Sequence, residues 1–444
     1  MGTNEEFNFW NRKKERQDIH SEINCFLYIS TPPSYGKTYL LKQLMLERQE
    51  RGWKHVFMFS LLELPITAVS SKDDFLDYIS LQLGFENHVI LAGYIMEKTK
   101  QVLILIDDIH VLAGSNNNQL KQVFLESMRF FMQRAPRASA FQLILAGRYI
   151  DSHSFRIKVP LNQFKKIAVN PFEKDAVYQI IEDYLFPRKI FFKEMLPTYE
   201  AWSVDIQTLS CGHPLAIINL VQHLVEKSSK TFLDSDYIAK NQEVLFDNYV
   251  KPCLNQMLVE LSPFLQSTLE KLSVFNAFDA AVVDYLKTLG FIENNISGNV
   301  LQILSELGTI SCKRPDGRGY YSDAILTSLL RKNLKLHNIA LYQSINESAI
   351  EFFRGLVKDN AAVTDDFYLQ QYAYHALQSK DVMTRISALQ EWFDYFRKDS
   401  PDFNMEDFRN YLSVSEHNEC LNNLINEEKM SLDFILDAIP TSRP

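Results

Sequence analysis

The sequence predicts an α/β domain built on a five-stranded parallel sheet, followed by a remainder that is almost entirely helical. Three observations carry this. From Cys25 to about Asn170 short apolar runs alternate with stretches of helical periodicity, the pattern of strands joined by crossover helices. Those runs are continuously apolar instead of alternating, as expected for strands covered on both faces. Beyond Asn170 the strand signal fades, and apolar residues recur at three- and four-residue spacing instead.

The predicted strands are Cys25–Ser30, His55–Ser60, Val102–Asp107, Phe141–Gly147 and Lys165–Val169. Between them, Thr38–Gln49, Asp73–Phe85 and Asn118–Arg134 have the spacing of amphipathic helices. Pro171–Phe186 and His213–Lys227 read as helices of a small all-α subdomain. Leu258–Phe275, Ala280–Gly290 and Gly298–Gly308 follow as three short helices. Ile310–Asp323 then holds two extended runs around Pro315-Asp316-Gly317, a turn sequence suited to a hairpin, so this part reads as a winged helix. Ile339–Leu356 and Asp366–Gln378 resemble paired helices, though no repeat period can be counted. The expected domains are residues 1–169, 170–245, 246–335 and 336–444.

Bulk properties narrow the functional classes. A chain of 444 residues is long for one core, which predicts several compact units. The formal charge of −9 argues against a protein whose main task is to coat nucleic acid, since that needs a cationic surface. Five scattered cysteines, Cys25, Cys211, Cys253, Cys312 and Cys420, lack the spacing of a zinc site or a disulfide framework. The N-terminus has no apolar signal segment and no membrane-spanning run is present, so a cytoplasmic location is expected.

The chemistry concentrates after the first predicted strand. Thr31-Pro32-Pro33-Ser34-Tyr35-Gly36-Lys37-Thr38 fits the phosphate-loop pattern GxxxxGK[ST] except for the first glycine. Both prolines fall in the early half of the loop, so the backbone N–H groups of Ser34, Tyr35, Gly36, Lys37 and Thr38, with Tyr39 behind them, stay available to phosphate oxygens. Lys37 would reach the β and γ phosphates, and the Thr38 hydroxyl would bind Mg²⁺. Side chains at Thr31 and Ser34 predict a cost of roughly 1 kcal/mol wherever a left-handed dihedral is required. Leu103–Asp108 is an apolar strand ending in two carboxylates, which assigns Asp107 to the metal and Asp108 to the attacking water. Arg148, just past the fourth strand, is placed to sense the γ phosphate. The fold class is thus an α/β P-loop NTPase domain with an all-α lid, a winged helix and a C-terminal helical region.

Together these elements resemble the STAND branch of the AAA+ class of P-loop ATPases over about Phe7 to Arg331. Phe9-Trp10-Asn11-Arg12 with Glu15 is similar to the family's entry motif, which implies that Arg12 lies near the adenine; Asn11 replaces the usual glycine. The loop is similar to the AAA+ form GPPGTGKT, Ala146-Gly147-Arg148 to the sensor arginine, and Asn170-Pro171-Phe172 with Gly212-His213-Pro214 to the helical lid, implying Pro214 against the base. Asp323 stands where the family's winged helix has a His-Asp pair, with Ser322 in place of the histidine. The resemblance implies slow, switch-type ATP hydrolysis with ATP/ADP and Mg²⁺, nucleotide-dependent homo-oligomerisation and signal transduction through other proteins. The first strand begins near Cys25 and the stretch after Leu336 is short, so an effector or sensor supplied in trans is expected.

Two other readings remain open. A DNA-associated AAA+ ATPase of the replication-initiator or transposition type would combine the same domains, but its recognition helix should be basic, and the candidate Ser297–Gly308 has no Lys or Arg. The wing Lys313–Gly319 does carry three basic residues. A nearly inactive nucleotide-binding scaffold is favoured by the glycine-poor loop and opposed by the retention of Lys37, Thr38, Asp107 and Asp108. His110, His213, Arg134 and Arg137 read as structural or solvated residues.

Overall fold

The computed structural model describes residues 12–21, 26–31, 35–97, 100–113, 118–135, 140–148, 164–185, 196–228, 233–293, 299–307, 309–312, 319–359, 366–379, 381–400, 402 and 404–408. Two compact units share the chain: Met1–Glu260 with Gln302–Ile310 and Asp323–Leu329, and Leu261–Leu301 with Ser311–Ser322 and Leu330–Pro444.

The first unit opens with helix α1 (Lys13–Ser21), strand β1 (Phe26–Ser30), α2 (Lys37–Glu50), β2 (His55–Ser60), α3 (Lys72–Gln82), α4 (His88–Met96), β3 (Val102–Asp107), α5 (Asn118–Arg134), β4 (Phe141–Gly147) and β5 (Lys165–Ile167). The sheet order is β2-β3-β4-β1-β5, and every neighbouring pair is parallel. Because β4 lies between β1 and β3, the loop strand and the carboxylate strand are not neighbours. Register then aligns their ends: Ser60 pairs with Asp107, and Ser30 with Gly147.

Strands β1 to β4 each feed two cores, which is why their sequences have no polar alternation, whereas β5 exposes Lys165 and Lys166 and buries Ile167. Val102, Ile104 and Ile106 pack with Phe75, Ile79, Leu91 and Phe124 from α3, α4 and α5. Leu103 and Leu105 face the other way, onto Ile19 of α1 and Leu40, Leu41 and Leu44 of α2. Buried leucine and isoleucine side chains each contribute about 1.5–3 kcal/mol, so this double-faced packing is the main support of the sheet edge. The strand ends of β2, β3 and β4 match the sequence expectation. β5 stops at Ile167 instead of Val169, and α1 and α4 were not anticipated. α4 escaped because His88–Met96 is nearly all apolar, so no polar face marks the period, although Asn87 caps it by accepting from Val89 N and Ile90 N.

Helices Lys174–Leu185, Leu196–Ser210 and Pro214–Ser228 follow, and the middle one lies outside the sequence expectation. The run Gln242–Leu258 stays helical through a π turn at Phe246–Val250, so the expected boundary at 245/246 falls inside it. Of the helix expected over Leu258–Phe275, the structure keeps Pro263–Leu272, and Leu258 is instead the last residue of Lys251–Leu258. Pro263 disfavours helical dihedrals at Ser262, which is extended at ψ 154° and accepts from Leu265 N as the cap of Pro263–Leu272.

In the second unit, Ala280–Thr288 follows Pro263–Leu272. β6 (Ile310–Cys312) and β7 (Tyr320–Ser322) form the expected two-stranded sheet, while the turn Pro315-Asp316-Gly317 lies outside the described residues. Tyr320 also exchanges both backbone hydrogen bonds with Phe278 at 2.9 and 2.7 Å. The boundary expected at 335/336 is not a break, because helix Ala324–His337 runs across it. Nor is it a packing border: Gln371 Oε1 accepts from Ala277 N, Tyr368 donates to Asp279, and the Phe275 ring lies 4.8 Å from that of His375. Helix Asp366–Leu377 packs between Ile339–Asp359 and Val382–Asp399.

His375 is fully buried, with Nδ1 paired to Asn346 Oδ1 at 2.8 Å and the ring stacked on Phe353. Burial, reinforced by Arg331, pushes its pKa down to about 3 from the ordinary 6.5. The unfolded chain therefore binds a proton that the folded chain refuses, and stability falls as pH drops from 6.5 toward 3. A His375→Gln variant is expected to lose less stability than wild type between pH 7 and pH 5, read as urea midpoints by circular dichroism.

Candidate functional site

The parallel register collects the candidate residues at one edge of the sheet, the carboxyl end, where open α/β folds bind ligands. Thr31 leaves β1, Ser60 ends β2, Asp107 ends β3, and Arg148 follows β4. Gly36 opens α2 with φ +82°, a left-handed conformation that an added Cβ would strain although nothing lies within 4 Å of it.

Lys37 is buried, and its ammonium donates to the Thr31 carbonyl at 3.1 Å and to the Thr31 hydroxyl at 3.0 Å. Thr31 is not among the described residues with positive φ, so the strain expected for a side chain at this glycine position is absent; instead its hydroxyl serves the loop lysine. Ser34 lies outside the described residues. Burial lowers the Lys37 pKa to about 8, with Arg148 acting in the same direction and Asp107, Asp108 and Asp323 opposing. An ammonium held this far below its ordinary value has a strong preference for added negative charge.

Thr38 donates its hydroxyl proton to Asp107 Oδ2, the pairing expected of two neighbouring oxygen ligands. Burial raises the Asp107 pKa, and the Thr38 bond partly offsets it. A hydroxyl and a carboxylate side by side fit a hard divalent cation such as Mg²⁺. Among the described residues no group of three or more His, Cys, Asp or Glu could hold a metal by itself, so phosphate oxygens and waters would have to complete the shell.

Asp108 has φ +58°, unusual for a residue other than glycine. Its carboxylate accepts from the Ser60 hydroxyl at 2.6 Å, and its N–H donates to Asp107 Oδ1 at 2.8 Å. Ser60 was missed by sequence reasoning; a polar residue closing the apolar run His55–Ser60 was the available signal. His110 was set aside as structural, yet its Nδ1 lies 3.9 Å from Asp108 Oδ1. Arg148 is partly exposed and donates to Glu260 Oε1 at 3.2 Å, while its charge bears on both Lys37 and His110.

Arg12 sits lower, beneath the loop. Its guanidinium donates to Glu15 at 2.8 Å, to the Asn170 carbonyl and, at 3.4 Å, to the Tyr35 carbonyl, and it stacks 4.5 Å from the Phe172 ring centre. Glu15 in turn accepts from Asn170 N at 3.2 Å. The arginine thus ties α1, the loop and the segment leading to the next helices, with its donors directed at protein. Pro214 is buried at the first helical position of Pro214–Ser228, where its missing N–H costs nothing. His213 meets the loop: its ring stands edge-on to Tyr35 at 5.9 Å. Tyr39 is exposed on α2 near the Lys42 ammonium. Asp323 accepts from Ile325 N and Leu326 N as a helix cap. Phe9, Trp10 and Asn11 lie outside the described residues.

No family model matches the sequence, and no curated protein matches it either. Solved structures do. The ADP form of the Aeropyrum pernix ORC2 protein is 12% identical, covers 73% of this chain and 92% of its own, with a TM-score of 0.44. A Thermotoga maritima RuvB variant is 16% identical over 71% of this chain and 93% of its own, with a TM-score of 0.37. AMPPCP-bound DnaA from Aquifex aeolicus is 12% identical over 78% of this chain and 91% of its own, with a TM-score of 0.28. The sheet order, the loop and the carboxylate strand themselves define an α/β P-loop domain followed by a mainly helical region.

Gly212 closes the Asn170–Phe172 segment onto the start of Pro214–Ser228. Its φ is +75°, its carbonyl accepts from Phe172 N at 2.9 Å, and an added Cβ would lie 2.7 Å from Pro171 Cβ and 2.8 Å from the Phe172 carbonyl. Gly212→Ala is therefore expected to destabilise the protein by about 2–4 kcal/mol, from strained dihedral and overpacking together. Chemical denaturation measures it, and a loss below about 0.5 kcal/mol would show that the segment yields.

Proposed function

We propose that this chain is a slow, switch-type ATPase of the AAA+ and STAND kind, in which bound nucleotide sets conformation, self-association and contact with other proteins. The observation that carries the reading is the Arg12 cluster, which joins the Tyr35 carbonyl of the loop to the Asn170 carbonyl ahead of the helices. A ligand on the loop acts on the same atoms that anchor the helical segment, and a switch needs such a connection between ligand and structure.

In this reading the loop amides from Ser34 to Tyr39 and the Lys37 ammonium hold the phosphates, and Thr38 with Asp107 holds Mg²⁺. Asp108 orients water, and Arg148 answers the γ phosphate when it leaves Glu260. Arg12 acts through the loop, and Pro214 with His213 bounds the base. Asp323, whose charge bears on Lys37, would report nucleotide state to the winged helix. The domain reading is a P-loop ATPase, a helical lid, a winged helix and a C-terminal helical region acting inside the cell. Helix Val300–Glu306 carries no basic residue, which weighs against DNA as the principal partner.

Binding of a fluorescent ADP analogue, phosphate release and mass by light scattering, for wild type, Lys37→Ala and Asp108→Ala, test the reading. Lys37→Ala is expected to weaken nucleotide binding about tenfold to a hundredfold, the worth of one or two charge-assisted contacts. Asp108→Ala should keep binding and lose hydrolysis. Normal ATP affinity in Lys37→Ala would remove the phosphate-loop assignment. One unchanged mass with ADP, ATP and partner proteins would remove the switch, and strong salt-dependent binding to duplex DNA would favour a DNA-associated ATPase.

A further inference from the structure

His110 is a half-buried titratable group that the proposed chemistry leaves unused. It sits in the short 3₁₀ turn Ile109–Ala113 directly after the carboxylate strand. Ile109 and Leu112 are both in the sheet core, and residues three apart in a 3₁₀ turn share a face, so these anchors fix the orientation of the residue between them. The left-handed Asp108 ahead of the turn and the Val111 N–H to Asp108 carbonyl bond of 3.1 Å complete the local frame. Among the described residues the side chain is held there by backbone geometry, with no hydrogen bond to its Nδ1.

Its Nδ1 is buried without a hydrogen-bond partner among the described residues, and the carboxylate oxygen Asp108 Oδ1 is 3.9 Å away. That distance is too long for a direct hydrogen bond and suits two groups sharing one water. The other charges facing the ring, Arg148 and Lys37, both oppose its protonation, and burial does so most strongly, pushing the pKa down to about 4. A neutral imidazole with its proton on Nε2 presents an Nδ1 lone pair, so Asp108 Oδ1 and His110 Nδ1 are two acceptors aimed at the two hydrogens of a water. The Ser60 hydroxyl occupies the other Asp108 oxygen, Oδ2.

We infer that His110 is a second water-holding residue, acting with Asp108 to fix the nucleophile of nucleotide hydrolysis. The inference rests on the hydrolysis reading above. In the step, the water oxygen forms its bond to the γ phosphorus while the bond from that phosphorus to the β–γ bridging oxygen breaks. The bridging oxygen keeps the electron pair and leaves with ADP. One water proton passes to the Asp108 carboxylate as the O–H pair becomes the new P–O bond. His110 holds the second hydrogen throughout and fixes the direction of the attacking lone pair.

Three variants of the full-length protein separate this role from packing. His110→Phe and His110→Leu fill the site without an acceptor, while His110→Asn places an amide oxygen near the position of Nδ1. Phosphate release under single turnover is expected to fall about tenfold to a hundredfold in the Phe and Leu variants and to stay within about fivefold of wild type in Asn. The affinity for the fluorescent ADP analogue and the thermal midpoint should be unchanged or higher, because a buried unpaired acceptor has been removed. Retention of full hydrolysis by Phe or Leu overturns the inference. So does an Asn variant as slow as Phe, or a loss of nucleotide affinity in all three, since the imidazole would then be supporting the fold. If wild type binds nucleotide and releases no phosphate at all, the hydrolysis reading itself falls, which is a different result from active variants beside an active wild type.

Discussion

Everything at the candidate site depends on the register of five parallel strands. Parallel pairing with Ser60 opposite Asp107 and Ser30 opposite Gly147 leaves no choice about which residues leave the sheet together. A slip of one residue would turn every side chain to the opposite face and exchange the two cores. The buried leucines and isoleucines of β3 and β4 therefore do more than stabilise; they determine that a lysine, a threonine, two aspartates, a histidine and an arginine share one small volume. The electrostatics follow from that crowding. Lys37, Asp107 and His110 are all pushed toward their neutral forms by burial; Lys37 and Asp107 act on each other, and the charge of Asp108 bears on all three.

A second constraint acts beneath the loop. A guanidinium with a buried carboxylate partner is worth little as a net contribution to stability, but removal of either partner leaves an unpaired buried charge. The Arg12–Glu15 pair therefore specifies geometry more than it adds stability. It makes the position of Tyr35 depend on Asn170, and Gly212 makes Asn170–Phe172 depend on the next helices. Two close backbone approaches and one ion pair tie Tyr35 and Asn170–Phe172 into one connected frame.

How much was legible in the sequence differs by layer. The strands of the sheet were plain because apolar runs buried on both faces have no competing explanation. The loop and the Asp107-Asp108 pair were plain because their spacing relative to strand ends is itself the signal. Ser60 and the true setting of His110 were hidden, since both depend on which strand lies beside which, and strand order is not written locally. Thr31 was misjudged for a related reason. A glycine position was assumed to require a glycine conformation, whereas the chain passes through it without positive φ and uses the hydroxyl for Lys37. Helices continue through the positions 245/246 and 335/336 where domain boundaries were expected, because a change in composition does not mark the end of a helix.

The left-handed backbone of Asp108 has one further implication. An aspartate in that conformation gives up roughly 1 kcal/mol that glycine would keep, directly beside a fully buried strand of the sheet. Backbone strain alone would favour a residue without a side chain there, against which stand the Ser60 hydrogen bond to this carboxylate and the water-orienting role proposed for it. On the proposed function, stability and activity are opposed at this position. Selection for heat resistance alone, with function left unguarded, would be free to discard the carboxylate there and leave the rest of the fold intact.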